Sequence, residues 1–122
     1  MRLRIPGAVD SPLTARPSEQ IHAWVRTTGG ASQVIDTQAG VLSITDAGVG
    51  LLDVTWEVPF AAGNSYAPYA AVEVSDVSQT VCKIQPGTPP TATALRVVCV
   101  NASTLAEVDP TSGGYFVMAC GF

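Results

Sequence analysis

Leu51-Leu52-Asp53-Val54-Thr55-Trp56-Glu57-Val58 is the stretch whose pattern settles the fold class. Leu52, Val54, Trp56 and Val58 alternate with Leu51, Asp53, Thr55 and Glu57, so a two-residue period sets an apolar face against a mostly polar one. That is the pattern of a half-buried strand, because successive side chains of a strand point to opposite faces. Just upstream, Leu42 and Ile44 alternate with Val41, Ser43 and Thr45, and Asp46-Ala47-Gly48-Val49-Gly50 supplies a glycine-containing loop. The two runs are expected to pair as an antiparallel hairpin. Downstream, Ala70, Val72 and Val74 alternate with Ala71, Glu73 and Ser75, and Tyr115 to Cys120 forms a further apolar run. Leu95 to Asn101 is continuous and rich in β-branched residues, which predicts a strand buried on both faces. Ala23 to Arg26, Ile35 to Gln38 and Val81 to Gln85 are shorter candidates, and no 3.6-residue period lasts for the length of a helix. Seven or eight short strands separated by Gly, Pro, Ser and Asn predict an all-β fold, a single antiparallel β-sandwich or jelly roll. Pro59, Pro68, Pro86, Pro89, Pro90 and Pro110 all fall between the expected strands, where a missing amide donor does no harm.

With 122 residues the chain suits one compact domain. It divides into residues 1–20, expected to be an extended N-terminal arm, and residues 21–122, expected to be the sandwich. The arm holds Pro6, Pro12 and Pro17 and no periodic apolar face. It carries +1 (Arg2, Arg4 and Arg16 against Asp10 and Glu19), whereas the body carries −5. Fully extended, 20 residues reach about 65 Å at about 3.3 Å each, enough to cross onto a neighbouring molecule.

Hydrophobic residues make up 47% of the chain and charged residues 13%, roughly half the usual charged share, which predicts surface buried against other subunits. A net charge of −4 with six basic residues argues against nucleic acid as a partner. Apolar runs such as Leu95 to Val100 are broken long before the roughly 20 residues of a membrane span, so no membrane partner is expected. Arg2 and Arg4 are not followed by an apolar run of signal-peptide length. Cys82, Cys99 and Cys120 are odd in number and widely spaced, which predicts buried reduced thiols in strands and neither a disulfide framework nor a zinc site.

Catalytic chemistry finds little to work with. His22 is the sole histidine, Gly29-Gly30 and Gly113-Gly114 lack the lysine and helix start of a phosphate loop, and no Gly-x-Ser-x-Gly elbow occurs. The carboxylate pairs Asp53 with Glu57 and Glu73 with Asp76 read as solvated strand residues. No enzyme activity and no metal or cofactor is expected. Trp24 and Trp56 are placed on inward faces, where with Val25 they would pack the core or a trimer interface. Tyr66 and Tyr69 flank Pro68 in an expected loop from Ala61 to Pro68, as candidates for stacking on a receptor glycan.

His22-Ala23-Trp24-Val25, Gly29-Gly30, Leu42-Ser43-Ile44-Thr45-Asp46-Ala47-Gly48-Val49-Gly50, Val54-Thr55-Trp56 and Asn64-Ser65-Tyr66 together resemble a module at the C-terminal ends of many bacteriophage tail-fibre proteins. That family's pattern runs Ala-Trp-Val, a Gly-rich turn, a Ser-Ile-Thr-Asp-x-Gly-x-Gly hairpin, an aromatic-ended strand and an Asn-Tyr loop, and the match covers about residues 22 to 67. Leu51-Leu52 stands where the family has Asp-Tyr, and the Asn-Tyr spacing differs. The resemblance implies a trimeric β-sandwich on a virion surface, made in the host cytoplasm. A brief arm before the module suits a capsid decoration (cement) protein, with Arg2, Arg4, Ile5 and Pro6 docking on the phage major capsid protein or another virion structural protein. The alternative is a tail-fibre, neck-fibre or baseplate-associated receptor-binding module whose Tyr66 and Tyr69 meet a host surface glycan.

Overall fold

In the computed structural model, residues 21–73, 80–110 and 113–121 are described. They form eight strands: β1 (Ile21–Thr28), β2 (Val34–Ala39), β3 (Val41–Gly48), β4 (Leu51–Trp56), β5 (Tyr66–Glu73), β6 (Thr80–Ile84), β7 (Ala94–Asn101) and β8 (Gly114–Gly121). Two four-stranded sheets result, ordered β2-β1-β8-β5 and β3-β4-β7-β6, with every pairing antiparallel. The expected β-sandwich is therefore the observed architecture.

The two-residue period of β4 sends Leu52, Val54 and Trp56 inward, where each is at most 2% exposed. They meet Leu95, Val97 and Cys99 of β7, and from the other sheet Ala23 and Val25 of β1 and Tyr115, Val117 and Ala119 of β8. Burying each large side chain of this set contributes about 1.5–3 kcal/mol relative to leaving it in water. β7 is central in its sheet and buried on both faces over Val97 to Val100, as its unbroken apolar run predicts.

The two sheets share one edge through a single bent segment. β2 and β3 are separated only by Gly40, whose φ of 74° turns the chain out of the first sheet and into the second. A side chain there would press on Ala23 Cβ and His22 O, both at 3.2 Å. The corner is pinned by Val41 N–H donating to Gln38 Oε1 at 2.9 Å and Glu57 N–H donating to Gly40 O at 2.9 Å.

Both open ends of the sandwich are closed by side chains. At one, Phe60 and Tyr66 stack at 4.3 Å between ring centroids, and Trp56 meets each edge-on at 5.8 Å. Tyr66 Oη donates to Thr91 O at 2.9 Å, which anchors the cluster to the loop before β7. At the other, the two glycine pairs come together: Gly30 N–H donates to Gly113 O at 3.1 Å, and Gln33 Nε2 donates to Gly30 O and Gly113 O. The Thr27 hydroxyl donates to Gln33 Oε1 and accepts the Tyr115 amide at 2.8 Å. A Cβ on Gly114 would fall 1.9 Å from Thr27 O, so this closure requires glycine there.

Four local expectations are corrected. The hairpin between β3 and β4 turns on Val49 and Gly50 alone, and β3 extends through Gly48. In β3 the apolar alternation is interrupted by a bulge: Val41 opposes Trp56 and Ser43 opposes Thr55, so Leu42 is the extra residue. Val41 is consequently buried, Ile44 packs against the core, and Leu42 stands 65% exposed. Finally, Tyr66, Pro68 and Tyr69 lie in β5 and not in a loop. β5 is an edge strand, hydrogen-bonded only to β8, and an edge tolerates the amide that Pro68 lacks. Val58, expected to continue the apolar face of β4, lies beyond its end and is exposed.

Candidate functional site

Strand alternation fixes what each sheet shows to the outside. In β1, Ala23, Val25 and Thr27 are buried, so His22, Trp24 and Arg26 occupy the outer face. In β8, Tyr115, Val117 and Ala119 are buried, which turns Phe116, Met118 and Cys120 outward. Register then brings these side chains into rows. Trp24 opposes Met118, which opposes Tyr69 of β5; Arg26 opposes Phe116, which opposes Ala71; His22 opposes Cys120, which opposes Ala67. Trp24 and Phe116 touch diagonally, with ring centroids 6.5 Å apart and planes tilted by 32°. His22 Nε2 lies 3.8 Å from Cys120 Sγ. The result is a contiguous outer face of aromatic and small apolar side chains, on which Tyr69 is 57% and Met118 39% exposed.

Most acidic residues of the body lie away from these rows, but Glu73 ends β5 in the same strand phase as Tyr69 and Ala71. Asp36 is the bulged residue of β2, Asp46 and Asp53 belong to β3 and β4, and Glu57 and Asp109 sit in connecting segments.

Of the sequence-predicted residues, Val25 and Trp56 take the core positions expected of them and Trp24 does not. Val25 is fully buried and Trp56 is 2% exposed, so both pack the sandwich interior and neither reaches a subunit boundary. Trp24, expected inward, faces outward, because Ala23 and Val25 take the inward positions of β1. Tyr66 is 6% exposed inside the aromatic end cluster, and three residues on, at odd strand spacing, Tyr69 points to the opposite side. The two tyrosines therefore form no common stacking platform. Burial raises the Tyr66 and Tyr115 phenols above their ordinary pKa. Arg2, Arg4, Ile5 and Pro6 of the arm lie outside the described residues, as does Asp76 of the Glu73/Asp76 pair. Phe116 and Met118, which complete the aromatic face, are read from sequence only as members of the apolar run Tyr115 to Cys120. Their phase within β8 is readable from the alternation with Tyr115, Val117 and Ala119, but their proximity to Trp24 depends on long-range register.

The outer face of the other sheet is of a different kind. Asp53 and Arg96 stand opposite one another on β4 and β7 and pair through two hydrogen bonds, Arg96 Nε to Oδ1 at 2.6 Å and Arg96 Nη2 to Oδ2 at 2.8 Å. They border an open cleft of about 340 Å3, with Thr45, Thr55, Thr88 and Pro89 on its walls. The hydrogen bonds to Asp53, and after them its charge, raise the Arg96 pKa above its ordinary value. Among the described residues no three His, Cys, Asp or Glu side chains converge as metal ligands.

Comparison with known proteins finds no matching family model, no matching curated protein and no matching solved structure.

Proposed function

We propose that this chain is a self-associating structural protein of a bacteriophage virion, a capsid decoration (cement) protein that forms homotrimers on the particle surface. The observation that carries the reading is the outer face of the β2-β1-β8-β5 sheet, where Trp24, Tyr69, Phe116 and Met118 lie side by side. Large aromatic and thioether side chains in one patch are the groups that dominate subunit interfaces, and leaving them in water invites nonspecific aggregation. Further copies of this chain are the occupants in this reading. The virion setting rests on the resemblance of Ala23-Trp24-Val25 and Ser43 to Gly50 to phage tail-fibre tips. The oppositely charged residues 1–20 are the proposed contact with the major capsid protein, each arm of an oligomer adding to the attachment.

The test is the copy number of the chain relative to the major shell protein in purified particles, by quantitative mass spectrometry. Hundreds of copies per particle support decoration. A few to a few dozen copies refute it and favour the second reading, a tail-fibre, neck-fibre or baseplate-associated receptor-binding module. The feature that favours that module is the threonine-lined cleft beside Asp53 and Arg96, whose hydroxyl and charged groups suit a saccharide.

A further inference from the structure

The three cysteines, scattered in sequence, are not scattered in the fold. Register places Cys82 of β6 directly opposite Cys99 of β7. The two kinds of opposed position in an antiparallel pair differ in spacing, and backbone hydrogen bonds identify which kind this is. Cys99 N–H donates to Gly50 O at 2.7 Å, and Cys99 O accepts the Val108 amide at 3.0 Å, so both backbone groups of Cys99 point away from β6. Gln85 N–H donates to Arg96 O at 3.0 Å three residues along, which sets the same alternation independently. Cys82 and Cys99 therefore form a non-hydrogen-bonded pair, the closer type, with Cα atoms about 4.5 Å apart. That separation falls inside the window of about 4.4–6.8 Å that a disulfide spans. The side chains also share a face. Cys99 is a fully buried core residue, and Cys82 is half-buried against the same core, between Thr80 and Ile84 on the inner side of β6.

We propose that Cys82 and Cys99 are a cross-strand disulfide site, reduced in the freshly made chain and closed by a low-molecular-weight disulfide such as oxidised glutathione. Cys82, the more accessible of the two, attacks one glutathione sulfur as the thiolate and releases the first glutathione thiol. Cys99 then attacks the Cys82 sulfur of the mixed disulfide and releases the second. The protein gives up two protons and two electrons, and one glutathione disulfide becomes two glutathione thiols. Burial raises both thiols, Cys82 to about 12 and Cys99 to about 11, so little thiolate exists in the folded state at neutral pH. The bond accordingly closes while the strands are pairing and, once closed, is sheltered from reduction. It secures β6, an edge strand with β7 as its single hydrogen-bonded neighbour. Cys120 takes no part, being in the other sheet and on its outer face beside His22. This chemistry stands whether or not the protein belongs to a virion.

The experiment is refolding of the full chain from urea in a mixture of reduced and oxidised glutathione, followed by alkylation, tryptic digestion and mass spectrometry. The expected product is 2 Da lighter than the reduced chain, with Cys82 linked to Cys99 and Cys120 alkylated, and its urea midpoint falls when dithiothreitol is added. Cys82→Ser should abolish the 2 Da loss. The proposal is overturned if Cys82 and Cys99 are both alkylated in refolded wild-type protein, if either is linked to Cys120, or if Cys82→Ser still loses 2 Da.

Discussion

The two outer faces of this sandwich are built on the same strand geometry and oppose each other chemically. One presents Trp24, Tyr69, Phe116 and Met118 in adjoining rows. The other presents threonines around an Asp53–Arg96 pair, with Val81, Val98 and Val100 in the outward phase of β6 and β7. Since the inner faces of both sheets supply one shared core, the difference is not required by folding. On the reading proposed above, an aromatic face that folding does not require is the surface used for assembly. The two tryptophans state the same contrast within single residues, Trp56 closing the core and Trp24 lying outside it.

The largest effect should therefore separate these tryptophans. Trp56→Ala removes a ring packed against Phe60 and Tyr66 and should cost about 3–5 kcal/mol of folding stability, read as a lowered urea midpoint. Trp24→Ala loses one tilted contact with Phe116 and should cost about 1 kcal/mol in the monomer. Its main effect should appear in association, weakened at least tenfold in a dilution series followed by mass photometry. Equal folding losses in the two variants would erase the contrast.

A second effect compares the faces directly. Met118→Lys puts a charge at the centre of the aromatic rows and should leave the protein monomeric at concentrations where the wild type associates. Thr55→Lys makes the same change beside the polar cleft and should leave association untouched. If Thr55→Lys disrupts assembly and Met118→Lys does not, the assignment of faces is inverted.

Alkaline pH tests the interior that both faces share. With Cys82 and Cys99 kept reduced by dithiothreitol, their thiols and the Tyr66 and Tyr115 phenols all have pKa values raised by burial. In the unfolded chain their ordinary values are 9.0 for the thiols and 10.0 for the phenols, so unfolding releases protons above about pH 9. The stability these neutral groups contribute is complete below pH 9 and is lost progressively as pH rises toward 12. Urea midpoints at pH 7, 9 and 10.5 should fall in that order. The smallest effect belongs to Asp53→Asn, which breaks a half-buried bidentate ion pair and should lower the urea midpoint by a small, measurable amount.

Much of the fold was legible in the sequence because β4 and β7 have simple environments. β4 is buried on one face and β7 on both, and each leaves its own periodic signature over Leu52 to Trp56 and Leu95 to Val100. The same logic fails in β1, where both phases contain apolar residues: Ala23 and Val25 on one, Trp24 on the other. Size suggested that Trp24 turns inward, but Ala23 and Val25 take the inward phase, with Ala23 lying against the corner at Gly40. The Leu42 bulge shifts the phase of β3 without any local signal, since neither neighbour is glycine. Pro68 reads as a loop residue and becomes a strand residue because β5 has an unpaired edge. The aromatic rows and the Cys82–Cys99 opposition depend on which strands become neighbours, and periodicity within a strand carries no information on that.

The most direct test of the central claim is sedimentation equilibrium of the full chain beside Met118→Lys. The account predicts a wild-type species of three times the 12.6 kDa chain mass and a monomer for the variant. A wild type that stays monomeric at micromolar concentrations, or a Met118→Lys chain that still forms the trimer, would contradict it.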